Sequence, residues 1–145
     1  GEFSQVRVCR QVRDAERSAA DVSVKVLDLR RQDRKQVSRR TVDKNLLKNA
    51  HKEAVLWKKL GEHKNILHLL DAQTSPGLYF FITEKVEYGF LYVLERMPVL
   101  DEQTIARFLR DALYGLQHMH GKNMVHCNIN PDSFVCAEKP LTLKL

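Results

Sequence analysis

The sequence predicts an α+β fold, and two observations carry that prediction. Short stretches of strand character (3–10, 22–29, 66–72, 78–83) enclose a single helical stretch in the first half of the chain. Near residue 85 the character changes, and a long amphipathic helix dominates the remainder of the chain. At 145 residues the chain has the commonest size of one domain, and 43% apolar residues supply a core. A disordered tail and a disulfide-stapled miniprotein are excluded. Cys9, Cys127 and Cys136 are odd in number and widely spaced, which fits reduced thiols in a cytoplasmic protein. No apolar run approaches the roughly 18 residues of a membrane span and no signal-peptide pattern opens the sequence, so no membrane role is expected. Lys and Arg number 24 against 18 Asp and Glu, and the resulting +6 is compatible with an acidic partner but specific for none.

Taken in order, FSQVRVCR (3–10) alternates loosely as a strand does, and a polar, turn-prone RDAERSAAD (13–21) follows. VSVKVLDL (22–29) sets Val22, Val24 and Val26 on one face and Ser23, Lys25 and Leu27 on the other. These two strands form an antiparallel hairpin on this reading. RRQDRKQVSRR (30–40) carries six basic residues against one acid, the composition of a solvated loop; a nucleic-acid or membrane patch is the competing reading. From Asp43 the period becomes helical, with Leu46, Leu47, Ala50, Ala54, Leu56, Trp57 and Leu60 at spacings of three and four and Gly61 as the stop. A short strand at ILHLLDA (66–72), a turn at SPG (75–77) and a continuous apolar strand at LYFFIT (78–83), of the kind buried on both faces, come next. Residues 90–96 form a short helix ended by Pro98. Asp101 then caps the clearest helix, whose stripe runs through Ile105, Phe108, Leu109, Ala112, Leu113, Leu116 and Met119 to Gly121. LTLKL (141–145) is strand-like.

Taken singly, the candidate chemical residues are ambiguous. Lys25 is either a reactive buried amine or an exposed edge residue, and Glu53 sits where a solvent-facing carboxylate is ordinary. His118 and His120 point apart on a helix, and no Cys or His pair has zinc-site spacing, so no such metal site is expected. Cys127 beside His126 lacks the orienting third group that a thiol nucleophile needs.

Together and in order, the same residues resemble the protein kinase family, whose motifs run from Gly-rich loop through strand lysine, helix glutamate and hinge to the catalytic loop. GEFSQV (1–6) resembles the end of the Gly-rich loop with Ser4 at its last glycine, and FSQVRVC is similar to calcium/calmodulin-dependent kinases. VSVK (22–25) is similar to VAIK, which makes Lys25 the ligand of the α- and β-phosphates of ATP. KEAVLWKKLGEHKNILHLLDA (52–72) resembles the helix whose glutamate, here Glu53, holds that lysine. LYFFITEKVEYGFL (78–91) is similar to the adenine-holding strand and hinge, with Thr83 as gatekeeper and Glu84 and Val86 giving backbone bonds. Val6, Ser23 and Val135 would line the ring, with Ser23 in place of the usual alanine. Phe90 falls where relatives carry a ribose-binding acid. Trp57, Leu69 and His126 would stack in a spine.

MVHCNINPDSFV (124–135) aligns with VHRDLKPENLL, and there the charged members are gone. Cys127 stands for the arginine, Asn128 for the catalytic aspartate, Asn130 for the lysine and Ser133 for the magnesium-binding asparagine. The resemblance implies a kinase-like fold with a β-rich N-lobe at 1–84, a hinge at 85–87 and the start of a mainly α C-lobe at 88–145, truncated before the DFG motif. It implies a pseudokinase, a scaffold or allosteric module for a protein partner, in which ATP binding can persist with a weakened Mg2+ site. The alternative is an active serine/threonine kinase, acting on a protein substrate, with an unorthodox catalytic loop. A nucleic-acid module built on residues 30–40 lacks interleaved aromatics and is not expected.

Overall fold

A computed structural model describes residues 4–10, 21–30, 41–138 and 141–145; residues 1–3 and the basic run at 31–40 lie outside the described residues. The chain divides into two compact units. The first holds the described residues up to Lys59 together with Leu69–Glu84, and the second holds Leu60–His68 and Lys85–Leu145.

In the first unit, β1 (Ser4–Arg10), β2 (Asp21–Asp28), β3 (Leu69–Ser75) and β4 (Leu78–Glu84) form one antiparallel sheet in the order β1-β2-β4-β3. Helix α1 (Lys44–Leu60) packs on it. The register between β2 and β4 pairs Leu27 with Tyr79, Lys25 with Phe81 and Ser23 with Thr83. Directly opposed residues share a face of a sheet, so these six lie on one side. That is the side α1 covers. Its Ala50 and Ala54 are buried against Tyr79, Phe81, Leu29 and Leu69, and Trp57 lies 5.9 Å from the Phe81 ring. Burying Phe81 completely contributes roughly 1.5–3 kcal/mol. Asp43 caps the helix, its Oδ1 accepting from the Asn45 N–H at 2.8 Å, and Gly61 ends it at φ 68°, a left-handed conformation that glycine adopts without strain.

Two expectations for this region are corrected. LYFFIT is not buried evenly on both faces: Tyr79, Phe81 and Thr83 are buried, whereas Leu78, Phe80 and Ile82 alternate with them at intermediate exposure. The packed core of the unit lies on one face of the sheet, so alternation governs even this apolar strand. The strand expected at 66–72 begins at Leu69, and residues 60–68 pack with the second unit. The cause is distant in sequence. The Leu67 N–H donates to the Leu145 carbonyl at 2.7 Å, and the Leu145 N–H donates to the Asn65 carbonyl at 3.0 Å.

The second unit contains β5 (Tyr88–Gly89), α2 (Phe90–Arg96), α3 (Glu102–Gly121), a single 3-10 turn (Pro131–Ser133), β6 (Val135–Glu138) and β7 (Leu141–Lys144). The strands pair antiparallel as β5-β6-β7. Phe108, Phe134, Cys136 and Leu143 form the core. Asp101 caps α3 by accepting from the Thr104 N–H at 2.8 Å. The apolar stripe of α3 divides: Phe108 and Met119 are buried and Ala112 half-buried, while Ile105, Leu109 and Leu113 are 49%, 59% and 56% exposed. Two buried polar side chains, Asp111 on α3 and Asn65 between α1 and β3, meet at β7. Asp111 Oδ2 accepts from the Leu143 N–H at 3.1 Å, and Asn65 Nδ2 donates to the Leu143 carbonyl at 2.9 Å. These side chains satisfy both backbone groups of Leu143 where it sits buried in the core. No helix among the described residues is long and apolar enough to cross a membrane.

Candidate active site

Lys25 reaches its partner because of where β2 runs. The strand is interior, flanked by β1 (Val6 opposite Lys25) and β4 (Phe81 opposite Lys25), so Lys25 is not an edge residue. Its face is the one that α1 covers. On α1, Glu53 stands three residues after Ala50 and four before Trp57, at the border of the buried side. The ammonium lies 3.1 Å from Glu53 Oε1 and 5.1 Å from the centre of the Phe81 ring. Both side chains keep solvent access, at 35% and 47%. A pair so exposed stabilises the fold by less than about 1 kcal/mol. Its effect is aim: one oxygen fixes the nitrogen while other N–H donors stay open to an anion.

Ser23 and Thr83 are paired across β2 and β4, and both are buried, at 1% and 3% exposure. The Thr83 hydroxyl lies 3.0 Å from the Glu84 carbonyl and 3.4 Å from the Ser23 carbonyl. Val6 is placed by its backbone on β1, and its side chain lies outside the described residues. In the second unit, Val86 is buried just beyond Glu84, and Val135 opens β6 opposite Gly89. Phe90 is a core aromatic, 5.1 Å from the Phe108 ring and 6.3 Å from that of Phe134. It offers no carboxylate. Trp57 and Leu69 belong to the core of the first unit and His126 to the second unit.

The loop after α3 gathers the remaining candidates. Asn123 takes φ 57°, and the Met124 N–H returns to the Met119 carbonyl at 3.0 Å, closing the helix end. Cys127 also takes a positive φ, 65°, which turns the chain so that Asn128 is exposed. The Ser133 hydroxyl donates to the Asn128 carbonyl at 2.9 Å, and Asn130 Nδ2 to Asn128 Oδ1 at 3.3 Å. Asn128, Asn130 and Ser133 are thus brought together. Between them they hold no charge. Pro131 opens the 3-10 turn, and Asp132 is exposed on it. His126 Nδ1 and Asn130 Oδ1 are buried without a hydrogen-bond partner among the described residues.

Asn128, Asn130 and Ser133 offer only neutral oxygens, so the cluster brings no carboxylate of the kind that ordinarily anchors magnesium. Among the described residues no three His, Cys, Asp or Glu side chains gather to hold a metal. Cys136 is no nucleophile: burial, then the charge of Asp111, pushes its thiol up to about 11.

The protein kinase domain model matches residues 1–145. The chain belongs to the protein kinase family. It is 30% identical over 100 residues to a calcium/calmodulin-dependent protein kinase kinase of Caenorhabditis elegans, covering 68% of this chain and 18% of that protein. Against the serine/threonine-protein kinase STE20 of Yarrowia lipolytica it is 32% identical over 79 residues, or 54% of this chain and 7% of the relative. A sporulation-specific mitogen-activated protein kinase SMK1 of Saccharomyces cerevisiae is 32% identical over 96 residues, 63% of this chain and 24% of the relative. The chain therefore spans less than a quarter of each of these relatives. Within this kinase domain, sequence reasoning missed Asp111 and Asn65, which hold the backbone of Leu143. Asp111 alone left a signal, as a carboxylate between Phe108 and Ala112 on an otherwise apolar face.

Proposed function

We propose that this kinase domain holds a nucleotide but is impaired in phosphate transfer, and that it works as a pseudokinase, a scaffold or allosteric module for a protein partner. The observation that carries the proposal is a contrast. The Lys25–Glu53 pair is intact at 3.1 Å, whereas the Asn128, Asn130 and Ser133 cluster is uncharged. In the family pattern Lys25 would hold the α- and β-phosphates of ATP, aimed by Glu53. Ser23, Thr83 and the Glu84 backbone, with Val6, Val86 and Val135, would take the adenine contacts on that pattern alone. Bound ATP would supply the transferable phosphoryl group. The amide of Asn128 is too weak a base to accept a hydroxyl proton, and Asn130 brings no cation to the developing charge. Ser133 would leave magnesium weakly held.

The test is thermal shift of the complete domain with ATP, with and without magnesium, beside a phosphotransfer assay. ATP at a hundred times its Kd should stabilise the parent by about 2.7 kcal/mol. Lys25→Met should abolish the shift and cost little stability of its own. Transfer should be absent from the parent and appear in Asn128→Asp combined with Asn130→Lys. A parent that transfers phosphate, with no gain in the double variant, would favour an active kinase with an unorthodox loop.

A further inference from the structure

We infer that the solvent-facing side of α1 is a docking surface for an acidic segment of a protein partner, one with an apolar residue among its acids. The inference is independent of the nucleotide reading.

On α1, Lys44, Lys48, Lys52 and Lys59 are all exposed. At 100° per residue they fall within an arc of about 80°, along roughly 22 Å of helix. Ala50 and Ala54, buried against the sheet, lie on the other side. Lys59, in the last turn, suits the helix dipole, but the placement of the other three runs against the helix's own interest. Like charges at spacings of four repel, and a lysine in the first turn faces the positive end of the helix dipole. The first turn holds no acid, and the one acid on the helix, Glu53, is engaged with Lys25. Among the described residues none of the four lysines has an ion pair, whereas Lys58, on the flank, pairs with Asp71 at 3.4 Å. Four cations in line, with no acidic partner among the described residues, offer a site to an external anion.

The kind of anion is decided by the side chains that stand among them. Val55, 45% exposed, lies inside the arc between Lys52 and Lys59, and Leu56, 40% exposed, borders it. A sugar–phosphate backbone offers these side chains nothing, and the stripe has neither the arginine nor the aromatic groups that nucleic-acid surfaces use. A membrane surface requires a broad apolar face, and that face of α1 is already buried against the sheet. An extended segment of about seven residues matches the length of the stripe.

The experiment is titration of the full chain with a synthetic peptide in which one leucine stands among glutamates, in parallel with duplex DNA and phosphatidylserine–phosphatidylcholine vesicles. The peptide should bind, and its affinity should fall as salt rises. Lys48→Glu with Lys52→Glu should weaken it about tenfold or more, and Val55→Asp should weaken the peptide alone. Lys64→Glu with Arg110→Glu, an equal change of charge elsewhere, should leave it unchanged. Lys48→Gln with Lys52→Gln repeats the test should charge reversal disturb folding. The inference is overturned by absent peptide binding, by equal weakening in the Lys64/Arg110 variant, or by DNA or vesicles binding more tightly than the peptide through the same lysines.

Discussion

At the scale of single residues, the geometry separates groups that set chemistry from groups that set the fold. On the proposed reading Lys25 is the former: half-exposed, aimed by one oxygen, and of small value to stability. Gly115 is the latter. A Cβ there would stand 2.6 Å from the Asn65 carbonyl oxygen, which is backbone and cannot swing aside. Gly115→Ala gains up to about 1 kcal/mol of helix propensity but overpacks the contact at a cost of about 1–3 kcal/mol. Chemical denaturation should therefore show a net loss, against the usual gain for this change in a helix. None of this was legible in the sequence, because Gly115 and Asn65 meet only through tertiary packing. Lys25 and Glu53 were legible only as members of an ordered pattern, since each alone has an ordinary explanation. The absence of charge at Asn128, Asn130 and Ser133 was legible outright; the hydrogen bonds that join them were not.

At the scale of elements, local signals served well. Asp101 and Gly61 marked helix ends because capping is settled within a turn of the chain. The start of β3 was hidden because 65–67 is claimed by Leu145, far along the sequence. That same segment carries a pH dependence. His63 stacks on His118 with ring centres 4.4 Å apart, and its Nδ1 accepts from the Asn65 N–H at 3.1 Å. Burial first, then the charges of His118 and Lys144, lower its pKa below the ordinary 6.5. As pH falls below 6.5, the unfolded chain takes up this proton before the folded one, so stability should fall with pH. Above that value the effect should vanish. Denaturation midpoints across pH 5–8 check this, and His63→Gln should flatten the acid-side loss.

At the scale of the molecule, the order of elements and the change of character near residue 85 were readable, because hydrophobic period survives averaging over many residues. The fate of each apolar side chain was not. The α3 stripe looked uniform in sequence, yet Ile105, Leu109 and Leu113 are about half exposed while Phe108 and Met119 are buried. A helix presents a broader apolar arc than one neighbour can cover. In the 145-residue chain, Leu109→Glu with Leu113→Glu should reduce self-association and dye binding without lowering stability, measured by light scattering and an apolar fluorophore. Lowered stability would mean that these side chains bury more than their exposure says.

The clasp at Leu143 also imposes a timetable. Asn65 and the strand residue it secures are separated by 78 positions. At the roughly 5–20 residues per second of synthesis, Asn65 is joined to the chain about 4–16 s before its acceptor is. Throughout that interval its amide has water in place of its final partner, and the second unit cannot close. The second unit therefore closes only after Leu143 is made, however early its first segment emerges.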